Sequence, residues 1–120
     1  MEVSALSVSP NGKMLLSGDS NRTIYSWNLD DLNIEPKKHL AHTARILSFA
    51  WNENSSNFAS SSQDQCVVLW DVEQGKKGSI ECKLFLTLVA HVGPIRTCCF
   101  AEARLITAGE DAAIKLWNLN

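Results

Sequence analysis

The sequence reads Ser60-Ser-Ser-Gln-Asp64-Gln-Cys-Val67-Val-Leu-Trp70-Asp-Val72 near its middle, and two other versions of this stretch occur in the chain. They are Ser17-Gly-Asp-Ser-Asn21-Arg-Thr-Ile24-Tyr-Ser-Trp27-Asn-Leu29 and Thr107-Ala-Gly-Glu-Asp111-Ala-Ala-Ile114-Lys-Leu-Trp117-Asn-Leu119. Each version has a hydroxyl residue ten positions before the tryptophan, Asp or Asn six before it, and a β-branched residue three before it. Successive tryptophans are 43 and 47 residues apart. The chain therefore contains three copies of one repeat.

The length of the repeat predicts an all-β fold made of β-propeller blades, because periods of this size with a Trp-Asp-like ending are typical of them. Upstream of each copy, Val3, Ile46 and Ile95 begin a first strand, and Pro, Asn, Gly or Ser residues form the turn that follows it in the first two copies. We expect one domain over residues 1–120, a three-blade partial propeller of four-stranded antiparallel sheets. The blades are predicted at about 2–40, 41–89 and 90–120, the third without its fourth strand.

The composition narrows the class of function. A net charge of −2 gives no basic field, so we expect no nucleic-acid partner. The longest apolar run, residues 84–89, is too short to span a bilayer, and no signal peptide follows Met1, so we expect no membrane association and a cytoplasmic location. The spacing of the four cysteines does not fit a zinc site, and we expect reduced thiols, no metal and no cofactor. These residues are Cys66, Cys82, Cys98 and Cys99.

Polar residues recur with the repeat and invite comparison with a hydrolase. One set is His42, Ser60, Asp64 and Trp70; a second is His91, Thr107, Asp111 and Trp117; a partial set is Ser17, Asn21 and Trp27. A catalytic site rarely recurs once per repeat, whereas a buried indole N–H always needs an acceptor. We therefore predict no catalytic residue and a structural hydrogen-bonded chain from tryptophan through hydroxyl and imidazole to carboxylate. The partial set lacks a histidine and is predicted to be the weakest.

The registered copies, two of them with the histidine, resemble WD40 repeats over nearly the whole chain. That resemblance implies a β-propeller that serves as a rigid platform for protein partners and is usually not catalytic. Four segments further resemble the last three repeats of the actin-interacting protein family, which assists cofilin. They are Gly18-Asp-Ser-Asn-Arg22, His42-Thr-Ala-Arg-Ile46, Asp64-Gln-Cys-Val67 and Gly109-Glu-Asp-Ala112. This resemblance implies actin filaments and cofilin as partners, but that family's contacts lie largely in other repeats, so no binding residue carries over.

The histidine loops and the turns before the third strands are expected to share one face of the blades, where a partner would bind. The exposed candidates on it are Arg22, Arg45, Gln63, Arg96 and Glu110. Arginine suits such a site because its planar fork of donors anchors a partner; the alternative for each residue is a solvated rim charge. His39 is predicted to be a solvated loop residue, and residues 71–81 an exposed connector.

Three functions fit these features. The first is an interaction module of an actin-disassembly factor, the second is an adaptor subunit of another multiprotein complex, and the third is a propeller fragment without independent activity. Three blades cannot close a ring, so apolar faces of the first and third blades should be open. Self-association, or completion of the ring by another segment, would cover them.

Overall fold

The structure, a computed structural model, describes residues 2–74 and 80–119. The described residues form eleven β-strands and no helix, and so no helix that could cross a membrane. The strands are β1 (Val3–Val8), β2 (Met14–Asp19), β3 (Ile24–Asn28), β4 (Lys37–His39), β5 (Ile46–Trp51), β6 (Asn57–Ser62), β7 (Cys66–Gln74), β8 (Ile80–Val89), β9 (Ile95–Ala101), β10 (Arg104–Gly109) and β11 (Ile114–Asn118).

The strands form three antiparallel sheets, one for each copy of the repeat. The first sheet has the order β1-β2-β3-β4, the second β5-β6-β7-β8, and the third β9-β10-β11. Within each sheet, strands that are consecutive in the chain pair with each other, so each sheet is a meander. This architecture confirms the predicted all-β class, and we refer to the sheets as blades 1, 2 and 3.

The turn between the second and third strands is the same in every blade. Its last residue lies five positions before the tryptophan and has a left-handed backbone, with φ of 60° at Arg22, 72° at Gln65 and 64° at Ala112. Asp64 and Asp111, directly before it, each accept the backbone N–H two residues ahead through Oδ1, at 2.9 Å and 3.1 Å. Such a bond holds a tight turn that most residues would otherwise avoid.

The blades stack face to face with a fixed polarity. We call the face of each sheet that carries the repeat tryptophan its front face, and the other its back face. The back face of blade 1, with Leu16 and Ile24, packs on the front face of blade 2, with Phe58 and Trp70. Because both faces of blade 2 are buried, its strands carry apolar or small residues on both sides instead of alternating strictly.

The second interface repeats the first. Val67 and Leu69 on the back of blade 2 pack against Leu105 on the front of blade 3, with Trp117 partly buried beside them. A weak polar contact joins the same two blades, since Ser48 Oγ lies 3.7 Å from Cys98 Sγ. The core therefore consists of two interblade layers. In each layer the back face of one blade packs on the front face of the next.

The two outermost faces are open. Leu6 and Val8 on the front of blade 1 are 66% and 53% exposed, and Ile114 and Leu116 on the back of blade 3 are 75% and 60% exposed. These positions correspond in the repeat to residues that are buried or partly buried where blades meet. The open faces are thus the unmatched halves of the same kind of interface.

The prediction of an exposed connector at 71–81 is wrong for its two ends. The β7 and β8 strands continue pairing as far as Gln74 and Ile80. Val72 and Ile80 pack against the layer between blades 1 and 2, which gives the extra ladder apolar surface to bury. The Lys83 ammonium also lies 3.0 Å from the Glu73 carboxylate across the hairpin. Residues 75–79 of the predicted connector lie outside the described residues.

Blade stacking predicts a strong effect of replacing Gly18 with alanine. A Cβ at Gly18 would lie 2.5 Å from Ile46 Cγ2 and 2.7 Å from Ile46 Cβ, across the interface between blades 1 and 2. We expect Gly18→Ala to lower the free energy of unfolding by about 1–3 kcal/mol, as overpacking does. The measurement is urea unfolding followed by tryptophan fluorescence.

Gly12→Asn is the matched control for this substitution. Gly12 has φ of +74°, which asparagine tolerates, and nothing lies within 4 Å of its would-be Cβ. We expect a loss below about 1 kcal/mol for the control. Equal losses in the two variants would contradict the close approach of the blades.

Candidate functional site

A continuous hydrogen-bonded chain crosses blade 2. The Trp70 indole N–H donates to Ser60 Oγ over 3.0 Å, Ser60 Oγ lies 2.7 Å from His42 Nε2, and His42 Nδ1 lies 2.9 Å from Asp64 Oδ2. An ionised carboxylate only accepts, so the His42 proton belongs on Nδ1. In this tautomer Nε2 accepts a hydrogen bond from the Ser60 hydroxyl, and every donor in the chain points toward Asp64. We call this chain the blade 2 relay.

Blade 3 contains the same arrangement with threonine in place of serine. The Trp117 indole N–H donates to Thr107 Oγ1 over 3.1 Å, and Thr107 Oγ1 lies 2.8 Å from His91 Nε2. His91 Nδ1 lies 2.9 Å from Asp111 Oδ1. The structure therefore brings together both predicted four-residue sets.

Each aspartate also fixes the loop that carries its histidine. Asp64 Oδ2 accepts the backbone N–H of Thr43 over 3.0 Å, and Asp111 Oδ2 accepts that of Val92 over 3.1 Å. Burial acts to raise the pKa of the Asp64 carboxyl, but the hydrogen bonds from His42, Thr43 and Cys66 outweigh it and hold that pKa below its usual value. The same balance, with bonds from His91, Val92 and Ala113, lowers the pKa of Asp111. The relay thus ties loop, turn and strand together through one anion.

The relays are closed to substrate. The Ser60 residue is 0% exposed, and the His42 and Asp64 side chains are 0% and 6% exposed. A nucleophilic hydroxyl must reach the reacting atom, which Ser60 cannot do from this position. Burial also raises the pKa of the Cys82 and Cys98 thiols to about 11, so both remain protonated and weakly nucleophilic at neutral pH.

Blade 1 retains only the tryptophan–hydroxyl half of the relay. The Trp27 indole N–H donates to Ser17 Oγ over 3.1 Å, and Trp27 is only partly buried. Asn21, which the repeat places at the aspartate position, is exposed. Asp19 holds the turn instead, because its Oδ1 accepts the backbone N–H of Asn21 over 2.9 Å and that of Thr23 over 3.0 Å. The spacing from Trp27 predicted Asn21 for this role, but Asp19 has it instead.

The prediction of a solvated His39 is wrong. His39 lies in β4, where its Nε2 is 3.0 Å from Ser26 Oγ and its ring meets the Trp70 ring edge-on, with centroids 5.5 Å apart. Burial, with help from the Lys37 charge, lowers the pKa of His39. The histidine joins blade 1 to Trp70, the relay tryptophan of blade 2. No local sequence motif indicates this role.

The predicted binding residues lie at the end of the blades that carries the histidine loops and the turns between second and third strands. Arg22, Gln63, Arg96 and Glu110 are exposed, and Arg45 is partly buried. Arg45 pairs with Glu2 of blade 1, a residue that the sequence analysis missed, and Arg96 Nε lies 3.9 Å from Glu110 Oε1. We call this end of the molecule the loop face.

Comparison with known proteins agrees with this architecture. A family model described as "WD domain, G-beta repeat" matches residues 1–28, 34–71 and 82–118. The chain is 33% identical over 98% of its length to the 66 kDa stress protein of Physarum polycephalum, and 32% identical over 97% to actin-interacting protein 1-2 of Arabidopsis thaliana. It spans only 19% and 18% of those relatives. Among solved structures, the crystal structure of RRP9 WD40 repeats shares the fold, with a TM-score of 0.82, 16% identity, and coverage of 99% of this chain and 36% of that one.

The different relays predict different costs for the same substitution. Ser60→Ala removes the acceptor of the Trp70 indole and the partner of His42 Nε2 in a fully buried site, so we expect a loss of about 2–4 kcal/mol in the free energy of unfolding. Ser17→Ala orphans only a partly exposed indole and should cost about 0.5–1 kcal/mol. Urea unfolding of the two variants measures the difference, and a larger loss for Ser17→Ala would contradict a structural role of the histidine and aspartate.

The lowered pKa of Asp64 predicts acid sensitivity. Because the folded pKa lies below the unfolded value of about 4, the carboxylate stabilises the fold above that pH, and this contribution disappears as the pH falls through the folded pKa. We expect Asp64→Asn to be less stable than the parent chain at pH 7 and to lose part of the decline in stability below about pH 5. Urea midpoints measured across this range test it.

Asp30→Asn serves as the control for the acid-sensitivity experiment. Asp30 is exposed and lies outside the relays, so this variant should keep the acid decline of the parent chain. An unchanged acid decline in Asp64→Asn would show that the Asp64 carboxylate does not hold the fold in this way.

Proposed function

The chain belongs to the WD40-repeat family, and we propose from this premise that it is part of an actin-binding protein that promotes cofilin-dependent disassembly of actin filaments. The WD40 fold typically provides a non-catalytic scaffold for protein partners, and the stacked blades with their fixed loops are such a scaffold. In the proposal the chain binds proteins in the cytoplasm, at the actin cytoskeleton, and has no enzymatic activity.

Two observations support actin as the partner. Four separate segments, spread over all three blades, resemble the actin-interacting protein family in order and spacing. A relative that is 32% identical over almost the whole chain is named for interaction with actin. This chain spans about a fifth of that relative, so the activity we propose is that of the whole protein that carries the chain.

The loop face is the surface we propose for contact with the filament. Its side chains stand on turns whose backbone is anchored by Asp64 and Asp111, so they are presented at low entropic cost. Arg22 occupies the equivalent position in blade 1, where Asp19 holds the turn, and is exposed with a left-handed backbone. A rigidly mounted guanidinium is a typical anchor at protein interfaces.

This proposal predicts a face-specific loss of filament binding. In the full-length protein that carries this chain, we expect Arg22→Glu to weaken cosedimentation with cofilin-decorated actin filaments about tenfold, because reversing the charge of an anchor turns attraction into repulsion. Lys13→Glu is the matched control, since Lys13 is also exposed but lies in the β1–β2 turn at the opposite end of the blades. It should change the binding constant less than about twofold.

Two outcomes would contradict the proposal. The first is a full-length protein that does not sediment with actin, with or without cofilin. The second is a pull-down in which actin and cofilin are absent and the subunits of another complex are enriched, which would favour the adaptor alternative. Equal losses in the two variants would show that the contact does not lie on the loop face.

A further inference from the structure

The end of the blades opposite the loop face carries a groove between blades 2 and 3. It lies where β5 and β9 end and their chains turn into β6 and β10. Two adjoining cavities of about 370 and 280 Å³ form it and share four lining residues. These are Asn52, Phe100, Glu102 and Ala103.

The cavity of about 370 Å³, which we call the inner cavity, combines an aromatic ring with carboxylates; the other is the outer cavity. Trp51 and Glu53 from blade 2 line the inner cavity together with Phe100 and Glu102 from blade 3. Both blades therefore place an aromatic residue near the end of their first strand and a glutamate two positions later. The Trp51 ring packs on Phe58 in the layer between blades 1 and 2, so Phe100 provides the aromatic surface of this cavity. In the outer cavity, Phe85 and Leu119 provide apolar surface next to the Asp71 carboxylate.

The negative charge of the two glutamates of this groove is not neutralised by the described residues. Neither Glu53 nor Glu102, both exposed, forms an ion pair or hydrogen bond within residues 2–74 and 80–119. Neither cavity has a lysine or arginine among the described residues that line it. The nearby Lys83 is held 3.0 Å from Glu73. A concave surface with one sign of charge attracts the opposite charge.

An aromatic ring beside carboxylates suits one kind of side chain best. A lysine or arginine packs its aliphatic stem on the ring, gains a cation–π contact, and brings its charge to the glutamates. An aliphatic neighbour would fit the apolar outer cavity. We propose that this groove binds a basic linear segment of a partner protein, with a lysine or arginine on the Phe100 ring beside Glu53 and Glu102. Nucleic acids and anionic membranes would be repelled by the same carboxylates.

The inner cavity carries this inference, and the outer cavity only extends it. At the boundary between blades 1 and 2, Ile80 of β8 lines a residual cavity of only about 10 Å³ beside Met14. That cavity is small because β8, the fourth strand of blade 2, occupies the space there. A strand added to β11, which pairs only with β10 among the described residues, would occupy the outer cavity as β8 occupies the corresponding space. The inner cavity lies at the β5–β6 and β9–β10 turns, away from that path.

The test measures binding of a fluorescein-labelled peptide of alternating lysine and leucine by anisotropy, on the full-length protein that contains this chain. We expect salt-sensitive binding and no binding of the matched peptide with glutamate in place of lysine. The Glu53→Gln/Glu102→Gln variant should bind the lysine peptide about tenfold more weakly, and Phe100→Leu about threefold. Glu110→Gln, a charge change on the loop face, should stay within about twofold of the parent.

A second measurement does not depend on the variants. Carbodiimide should cross-link the lysines of the bound peptide to Glu53 and Glu102, and mass spectrometry would locate the links. Links confined to other carboxylates, equal affinity of the groove variant and Glu110→Gln, or stronger binding of RNA or phosphatidylserine vesicles than of the peptide would each overturn the inference. These readouts do not involve actin or Arg22, so their failure is separate from failure of the filament proposal.

Discussion

The hydrogen bond from the Trp70 indole N–H to the Ser60 hydroxyl is the interaction on which the rest of this structure depends. The indole must lie in the layer between blades 1 and 2 to bury its ring, and a buried N–H without an acceptor would cost part of that gain. Ser60 accepts this bond and donates its own hydroxyl hydrogen bond to His42, which connects the layer to the histidine loop. Packing between blades and the shape of the loop face are therefore set by one chain of bonds.

That coupling gives the blades different sets of anchoring bonds. Blade 2 has a full relay and a partner on both faces, so Trp70 is buried and its ring also meets Phe58 in a stacked arrangement, with centroids 5.7 Å apart. Blade 1 has no histidine in its relay, and Trp27 is only partly buried. Its turn relies on Asp19, a local cap that reaches no other strand. The loop face is accordingly fixed by long-range bonds in blades 2 and 3 and by local bonds in blade 1.

The sequence was sufficient for features that depend on spacing and insufficient for those that depend on neighbouring blades. The distance from hydroxyl to tryptophan repeats because paired strands set it, so the sheets and the two residue sets that form the relays could be predicted. His39 could not be placed, because its contacts come from Ser26 and from Trp70 of the next blade. The hairpin beyond Asp71 was missed for the same reason, since Ile80 is stabilised by blade 1 and its local sequence favours a loop. The groove depends on two turns 49 residues apart in sequence, Glu53 and Glu102, that only stacking brings together.

Stacking also has a direction, and this constrains what can cover the open faces. Every interface in the chain joins a back face, with residues such as Leu16 and Ile24, to a front face that carries a tryptophan. By the same rule, Leu6 and Val8 on the open front of blade 1 would pack on a back face. Ile114 and Leu116 on the open back of blade 3 would pack on a front face. An interface of two unlike faces can propagate or close into a ring, but it cannot be satisfied by the same face of a second molecule. The surface that completes these blades must therefore itself be a blade-like sheet in the same orientation, which leaves the loop face and the opposite groove as the surfaces free for other partners.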